Sequence, residues 1–393
     1  MISVATLLVA LIGAPQPHRC GLTALFPEAS SGTKSDKRAV DFRAIRTKFA
    51  ANTQGTRLLR TRHLAVWYKV GNDSDALSPS LASIPANDTV PVAVREIATA
   101  MEQAWSYYVD TLGMLPPLPS SAPGVIAEAP PAGLYPVEIC RPERALSSSR
   151  WGDKFFGLTL PDPASLQNSR IFVSSRIIGL SWSYALESGG TFHMNYAANL
   201  ASWRAALRAT AVHELFHAVQ FRYETSLLHF LFESSAVAME DAVLPDVDDH
   251  LYYISQLYGF NDAKTNTRPL LTTTEGDAYR HGFYVMGLMQ DAGPGIMRRL
   301  WEDRAKRSNS GRSTILGTLR DNLATTPLPL RESVIRYGQR MLVAGTRRGW
   351  TSRWDTIPDF HVWDRAEIAP VLDSILTTPV VGANSWPLGP GEL

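Results

Sequence analysis

His213, Glu214 and His217 stand in the stretch VHELFHAVQ, Val212 to Gln220, among residues that are otherwise apolar. Buried without partners, three ionisable groups would be costly. On a helix, residues four apart share a side, so the imidazoles of His213 and His217 converge on one point. Two neutral imidazole nitrogens at about 2.0–2.1 Å from a zinc ion make half of a tetrahedral site. Glu214 then projects beside that ion rather than onto it, where a general base takes a proton from water. His-Glu-x-x-His on a helix serves metal-assisted hydrolysis for this reason. The flanking Ala211, Val212, Leu215, Phe216, Ala218 and Val219 make the helix apolar nearly all round. That pattern predicts a buried helix, and a metal ion is the most economical partner for buried histidines.

A catalytic zinc site takes three protein ligands and keeps one position for water. A third histidine from the same helix is excluded, because Gln220 and Tyr223 stand where that longer motif needs Gly and His. A glutamate from a second helix is the alternative. LFESSAVAMEDAV, Leu231 to Val243, offers Glu233, sixteen residues past His217, with Glu240 and Asp241 as further candidates. Glu240 lies two turns beyond Glu233 on the same face, roughly 10 Å along the axis, so only one of the two reaches the metal. Glu233 is preferred: it opens its helix, and Ser234 and Ser235 behind it are small enough for close helix approach. Tyr279 and His281, in GDAYRHGFYVMGL, are candidates for the donor that steadies an oxyanion. His193, in TFHMNY, reads as a structural histidine beside the cleft.

These residues need elements to hold them. A long helix is expected over about Ser202–Glu224 for the motif, and a shorter one for Glu233. Upstream, His63–Tyr68, Tyr135–Cys140, Arg170–Ser174 and Thr191–Tyr196 read as strands. Pro91–Leu112 reads as a helix, with Val94, Ile97, Met101, Ala104, Trp105 and Tyr108 at helical spacing and Gly113 at its C-cap. MLPPLPSSAPG after it is a Pro-rich loop. From the motif onward the pattern stays mainly helical to about Val343. The fold class expected is α+β. A mixed sheet-and-helix subdomain over 41–225 ends in the motif helix, and a helical subdomain over 226–345 follows. Residues 346–393 form a tail without a clear pattern.

Composition narrows the function classes. The 393 residues carry 38 basic and 37 acidic side chains, a net charge of +1, without the basic excess that nucleic acid attracts. No apolar run is long enough to span a bilayer, so no integral membrane segment is expected. Residues 1–40 read as a signal peptide and linker. Ala5–Ile12 has the length of a signal h-region and Ile12-Gly13-Ala14 suits a cleavage site, although no Lys or Arg precedes the run. An extracellular or periplasmic location follows from that reading. Cys20 and Cys140 are the two cysteines, and a bridge between them is open on sequence alone.

HELFHAVQ followed by FESSAVAMEDAVLPDVDDHLYY resembles a family of mostly secreted bacterial zinc metalloproteases of the gluzincin type. AVWYKV, VPVAVREIATAMEQAWSYYVDTLG and YPVEIC are similar in order and character to that family's N-terminal half, so the resemblance spans roughly residues 60–290. It implies a zincin fold, zinc held by His213, His217 and Glu233, and Glu214 as the catalytic base. One departure is visible: the best-known gluzincins carry an Asp four residues after the ligand Glu, and Val237 stands there instead. Orientation of a zinc histidine then falls to Glu240 or Asp241. The activity expected is peptide-bond hydrolysis of a peptide or protein substrate. Hydrolysis of a non-peptide amide or ester and a non-enzymatic binding role are the rivals, the latter disfavoured by the intact Glu214.

Overall fold

The computed structural model describes residues 18–20, 51–79, 81–86, 88–146, 155–176, 203–225, 230–247, 279, 281–310 and 315–343. Seven strands make one mixed sheet: β1 (His18–Cys20), β2 (Thr56–Arg60), β3 (Leu64–Lys69), β4 (Leu118–Pro119), β5 (Tyr135–Cys140), β6 (Phe155–Pro161) and β7 (Asn168–Ser174). Their order is β1-β6-β7-β5-β3-β2, with β4 paired to the start of β7. The centre, β3-β5-β7, is parallel, β2 and β6 run antiparallel to their inner neighbours, and β1 is parallel to β6. Every residue of β3 and β5 is buried, as continuous apolar runs in parallel strands require.

Helices follow in two groups. α1 (Val92–Trp105) lies in the crossover from β3 to β5 and continues as a π-helical stretch, Ser106–Thr111. It starts behind Pro91 and ends where Gly113 takes φ +68°, a conformation that costs glycine nothing. The second group is α2 (Trp203–Gln220), α3 (Phe230–Val243), α4 (Gly282–Ala292), α5 (Ile296–Ser310), α6 (Ile315–Leu323) and α7 (Leu330–Val343). The α+β class is thus observed, with one helix among the strands and the other six after them among the described residues. α2 packs between β6 and β7 of the sheet, α1 and α3. Gln103 of α1 reaches the end of α3 through Nε2 to the Val243 carbonyl, 2.8 Å. One hydrophobic core joins sheet and helices. No helix among the described residues is long and apolar enough to cross a membrane.

A buried ion pair crosses the sheet centre. Glu138 of β5 bonds Arg170 of β7, and both side chains are fully buried. Glu138 Oε2 also accepts from the Ile126 amide at 2.7 Å, while Arg170 Nη2 donates to the carbonyls of Ala122 and Glu128 at 2.8 and 2.9 Å. The pair therefore anchors the loop over residues 122–128. Burial raises the Glu138 carboxyl above its ordinary range despite the neighbouring guanidinium.

The sequence expectations meet several differences. β2 and β6 carried no clear strand signal, and β1 lies inside the stretch expected to be linker. The two strands between β1 and β5 put Cys20 and Cys140 roughly 14 Å apart at ordinary strand spacing, too far for a disulfide. Cys140 is a buried free thiol. The expected strand over 191–196 with His193, the signal-like run and the tail from 346 lie outside the described residues.

Candidate metal centre

α2 carries the motif through the core. From Ala209 to Gln220 every residue is buried, so each polar side chain there must find a protein partner or a ligand. Tyr108 holds the helix from the α1 side, donating to the Val212 carbonyl at 3.2 Å and meeting Phe216 edge-on at 5.0 Å between ring centroids. α3 runs alongside, with Glu233 in its first turn, where a carboxylate is favoured by the helix dipole.

The two helices bring three donor atoms together. His213 Nε2 and His217 Nε2 are 2.9 Å apart. Glu233 Oε2 lies 3.1 Å from the first and 3.5 Å from the second. Ligand atoms of a tetrahedral zinc with bonds of 2.0–2.1 Å stand about 3.3 Å apart, so the triangle has the size of one face of such a site. His213, His217 and Glu233 are all buried and form the one metal-compatible His/Cys/Asp/Glu group among the described residues. Glu233 Oε1 is buried with no hydrogen-bond partner among the described residues, which fits a carboxylate shaped for a cation. Two imidazoles and one carboxylate are the donor set of catalytic zinc sites.

The outer nitrogens are tied down. His213 Nδ1 lies 2.6 Å from Glu240 Oε1, so one imidazole bridges the two glutamates that α3 presents two turns apart. His217 Nδ1 lies 2.6 Å from Gln220 Oε1, and Gln220 Nε2 donates to the Phe232 carbonyl and Ser235 Oγ at 2.9 and 3.0 Å. Such partners fix tautomer and ring orientation, leaving both Nε2 atoms turned to the common point. On sequence Gln220 closes the HELFHAVQ stretch and excludes the longer histidine motif, but was given no role toward His217. Its signal was the i, i+3 spacing from His217, which puts both on one side of α2.

Electrostatics follow from this packing. Burial opposes a charge on His213, but Glu233 and Glu240 outweigh it and push its pKa up to about 10. Burial also opposes a charge on Glu233, yet His217 and His213 pull its carboxyl down to about 2.

Glu214 faces the sheet. Thr159 of β6 donates to Glu214 Oε2 at 2.7 Å and lies 2.9 Å from its main-chain carbonyl. Gly157, two residues back, leaves the space that the carboxylate uses. A Cβ there would stand 2.6 Å from Glu214 Cγ and 2.8 Å from Oε1, so the strand must carry glycine at this point. Tyr279 is buried and stacks on His213, with centroids 5.8 Å apart and planes 11° apart. His281 is buried at the N-cap of α4, a helix that packs on α3 where Gly282 meets Val237. The geometry therefore gathers His213, His217, Glu233, Glu240 and Tyr279, turns the neighbouring Glu214 toward β6, and buries His281 at the start of α4. No family model, curated protein or solved structure matches this chain.

Proposed function

We propose that the protein is a zinc-dependent metallopeptidase with a zincin-like core. The observation that carries this reading is the triangle of His213 Nε2, His217 Nε2 and Glu233 Oε2, with 2.9–3.5 Å sides. The sheet on one side of α2 and α3 on the other support the zincin reading of the fold.

Zinc bound there would polarise the scissile carbonyl and acidify the attacking water. Glu214 takes the proton from that water as its oxygen adds to the carbonyl carbon, then passes it to the leaving amine as the C–N bond breaks. Thr159 orients the carboxylate by holding Oε2. Glu240 and Gln220 keep both imidazoles aimed at the metal. Tyr279, stacked on His213, is the first candidate for steadying the oxyanion, and His281 is the second. The substrate is a peptide or protein, and the signal-like N-terminus supports action outside the cytoplasm. The net charge of +1 gives nucleic acid no purchase.

The test pairs elemental analysis with a broad peptide library, on wild type and Glu214→Gln. Both proteins should hold about one zinc per chain, and the variant should lose about 10²–10⁴-fold in cleavage, the scale of general-base loss. Zinc without cleavage of any peptide would favour the binding-protein alternative, and cleavage of esters alone the non-peptide hydrolase. Full activity in Glu214→Gln would remove Glu214 as the base.

A further inference from the structure

Each histidine of the motif is preceded by a residue that meets the same tyrosine. Val212 comes before His213, and Phe216 before His217. Tyr108 donates to the Val212 carbonyl at 3.2 Å and packs edge-on against Phe216, with ring centroids 5.0 Å apart. Its side chain is fully buried. The Val212 carbonyl already serves the α2 ladder, and the phenol uses its second lone pair. Val212 and Phe216 are four apart, so Tyr108 touches one side of α2 at two successive turns, about 100° around the axis from the histidines. A contact at that place fixes the rotation of α2 about its own axis, and hence the direction of both imidazoles.

The same helix also holds α3. Gln103 Nε2 donates to the Val243 carbonyl at 2.8 Å, on the helix that supplies Glu233 and Glu240. Burial, and next the charge of Glu240, keep the Tyr108 phenol well above its ordinary range. Tyr108 therefore stands where α1, α2 and α3 meet. In a regular α-helix Gln103 and Tyr108, five residues apart, would point about 140° away from each other. Here the helix widens after Trp105 into the π-helical stretch Ser106–Thr111, and the Leu112 amide donates to the Tyr107 carbonyl five residues back at 3.0 Å. An i→i+5 turn holds more residues, so each advances less around the axis. Tyr108 is thereby swung back toward the face that carries Gln103.

We infer that Gln103 and Tyr108 are positioning residues for the metal centre, Tyr108 setting the rotation of α2 and Gln103 the seat of α3, with the π-helical turn directing Tyr108 to that place. This rests on zinc binding at His213, His217 and Glu233, and it adds what aligns the three donors. It is independent of which bond the centre hydrolyses.

The experiment compares the full chain with Tyr108→Phe, Gln103→Ala and the double variant. Tyr108→Phe keeps the ring against Phe216 and removes only the hydroxyl. Tyr284→Phe is the control: Tyr284 is also buried, and its hydroxyl meets Ser333 Oγ at 2.8 Å, between α4 and α7. Three readouts are taken: zinc affinity by chelator competition, the visible absorption spectrum of cobalt-loaded protein, and denaturant unfolding of metal-free protein. Tyr108→Phe should weaken zinc by about 10-fold, the scale of losing a group that orients a ligand, and should shift the cobalt spectrum. Gln103→Ala should do the same to a smaller degree. The double variant should lose less than the product of the two, because both residues act on one alignment. Tyr284→Phe should lower unfolding stability as Tyr108→Phe does, with zinc affinity and cobalt spectrum unchanged. Lower stability in Tyr108→Phe, with the zinc affinity and cobalt spectrum of the wild type, would make Tyr108 an ordinary core residue and overturn the inference. A wild type that binds neither zinc nor cobalt would remove the metal centre itself, and the alignment with it.

Discussion

Two clusters of this molecule bury full charge, and they are built to opposite ends. At the sheet centre Glu138 meets Arg170, and the loop backbone supplies further partners: the Ile126 amide for one, the Ala122 and Glu128 carbonyls for the other. Gly124 closes the space, since a Cβ there would collide with Glu138 Oε1. Positive and negative groups are matched within the protein. Between α2 and α3 the outer nitrogens of two histidines are matched in the same way, by Glu240 and Gln220. Their inner nitrogens instead converge with a carboxylate oxygen on a common point. Buried charge alone therefore does not mark a site. Convergence of lone-pair donors, with the outward nitrogen of each imidazole already held, does.

The contrast is sharpest when one carboxylate is removed from each cluster. Glu233→Ala should abolish stoichiometric zinc binding, taking the protein from about one zinc per chain to nearly none by elemental analysis. Glu138→Ala leaves Arg170 charged and buried, so it should cost about 3–5 kcal/mol in denaturant unfolding while the folded protein still binds zinc. If Glu138→Ala emptied the zinc site and Glu233→Ala did not, the two clusters would have been assigned the wrong way round.

The outward partners of the histidines should matter less than the ligands they hold. Glu240→Ala and Gln220→Ala are each expected to weaken zinc by about 10–100-fold in chelator competition. Glu240→Gln keeps an acceptor for His213 and should recover part of that loss. A loss in Glu240→Ala larger than in Glu233→Ala would make Glu240 the ligand and place α3 in another register against α2.

The smallest expected effect is on pH dependence after chelation. His213, held at about 10 by its two carboxylates against burial, titrates near 6.5 in an unfolded chain. Its stabilising charge is complete below about 6.5 and is lost as the pH climbs toward 10. Glu233, lowered to about 2 by the histidines against burial, stabilises above its unfolded value of about 4.3 and loses that contribution as the pH falls. Thermal midpoints of chelated protein should therefore be highest between about pH 4.3 and 6.5 and fall by pH 9. Zinc-loaded protein should not show the alkaline fall, because metal binding requires the ligands to have shed their protons. At the sheet pair, burial raises the Glu138 carboxyl, so its charged form is the one that burial disfavours as the pH rises. A flat midpoint across pH 5–9 after chelation would contradict the proton held in the cluster.

Much of the site was legible in the chain because its decisive contacts are local. The i, i+4 spacing of His213 and His217 makes their rings converge on any α-helix, and the apolar flanks require that helix to be buried. The apolar runs of β3 and β5 announced the inner strands, and the two-turn spacing of Glu233 and Glu240 put both on one face of α3. The approach of Glu233 and Glu240 to the two nitrogens of His213, the pairing of Thr159 with a residue fifty-five positions away, and the close approach of Gly157 to Glu214 belong to the tertiary structure. Helical periodicity acts over one or two turns. Which face of α3 meets His213, and which strand covers Glu214, is set by how sheet and helices share one core, and no local pattern contains that.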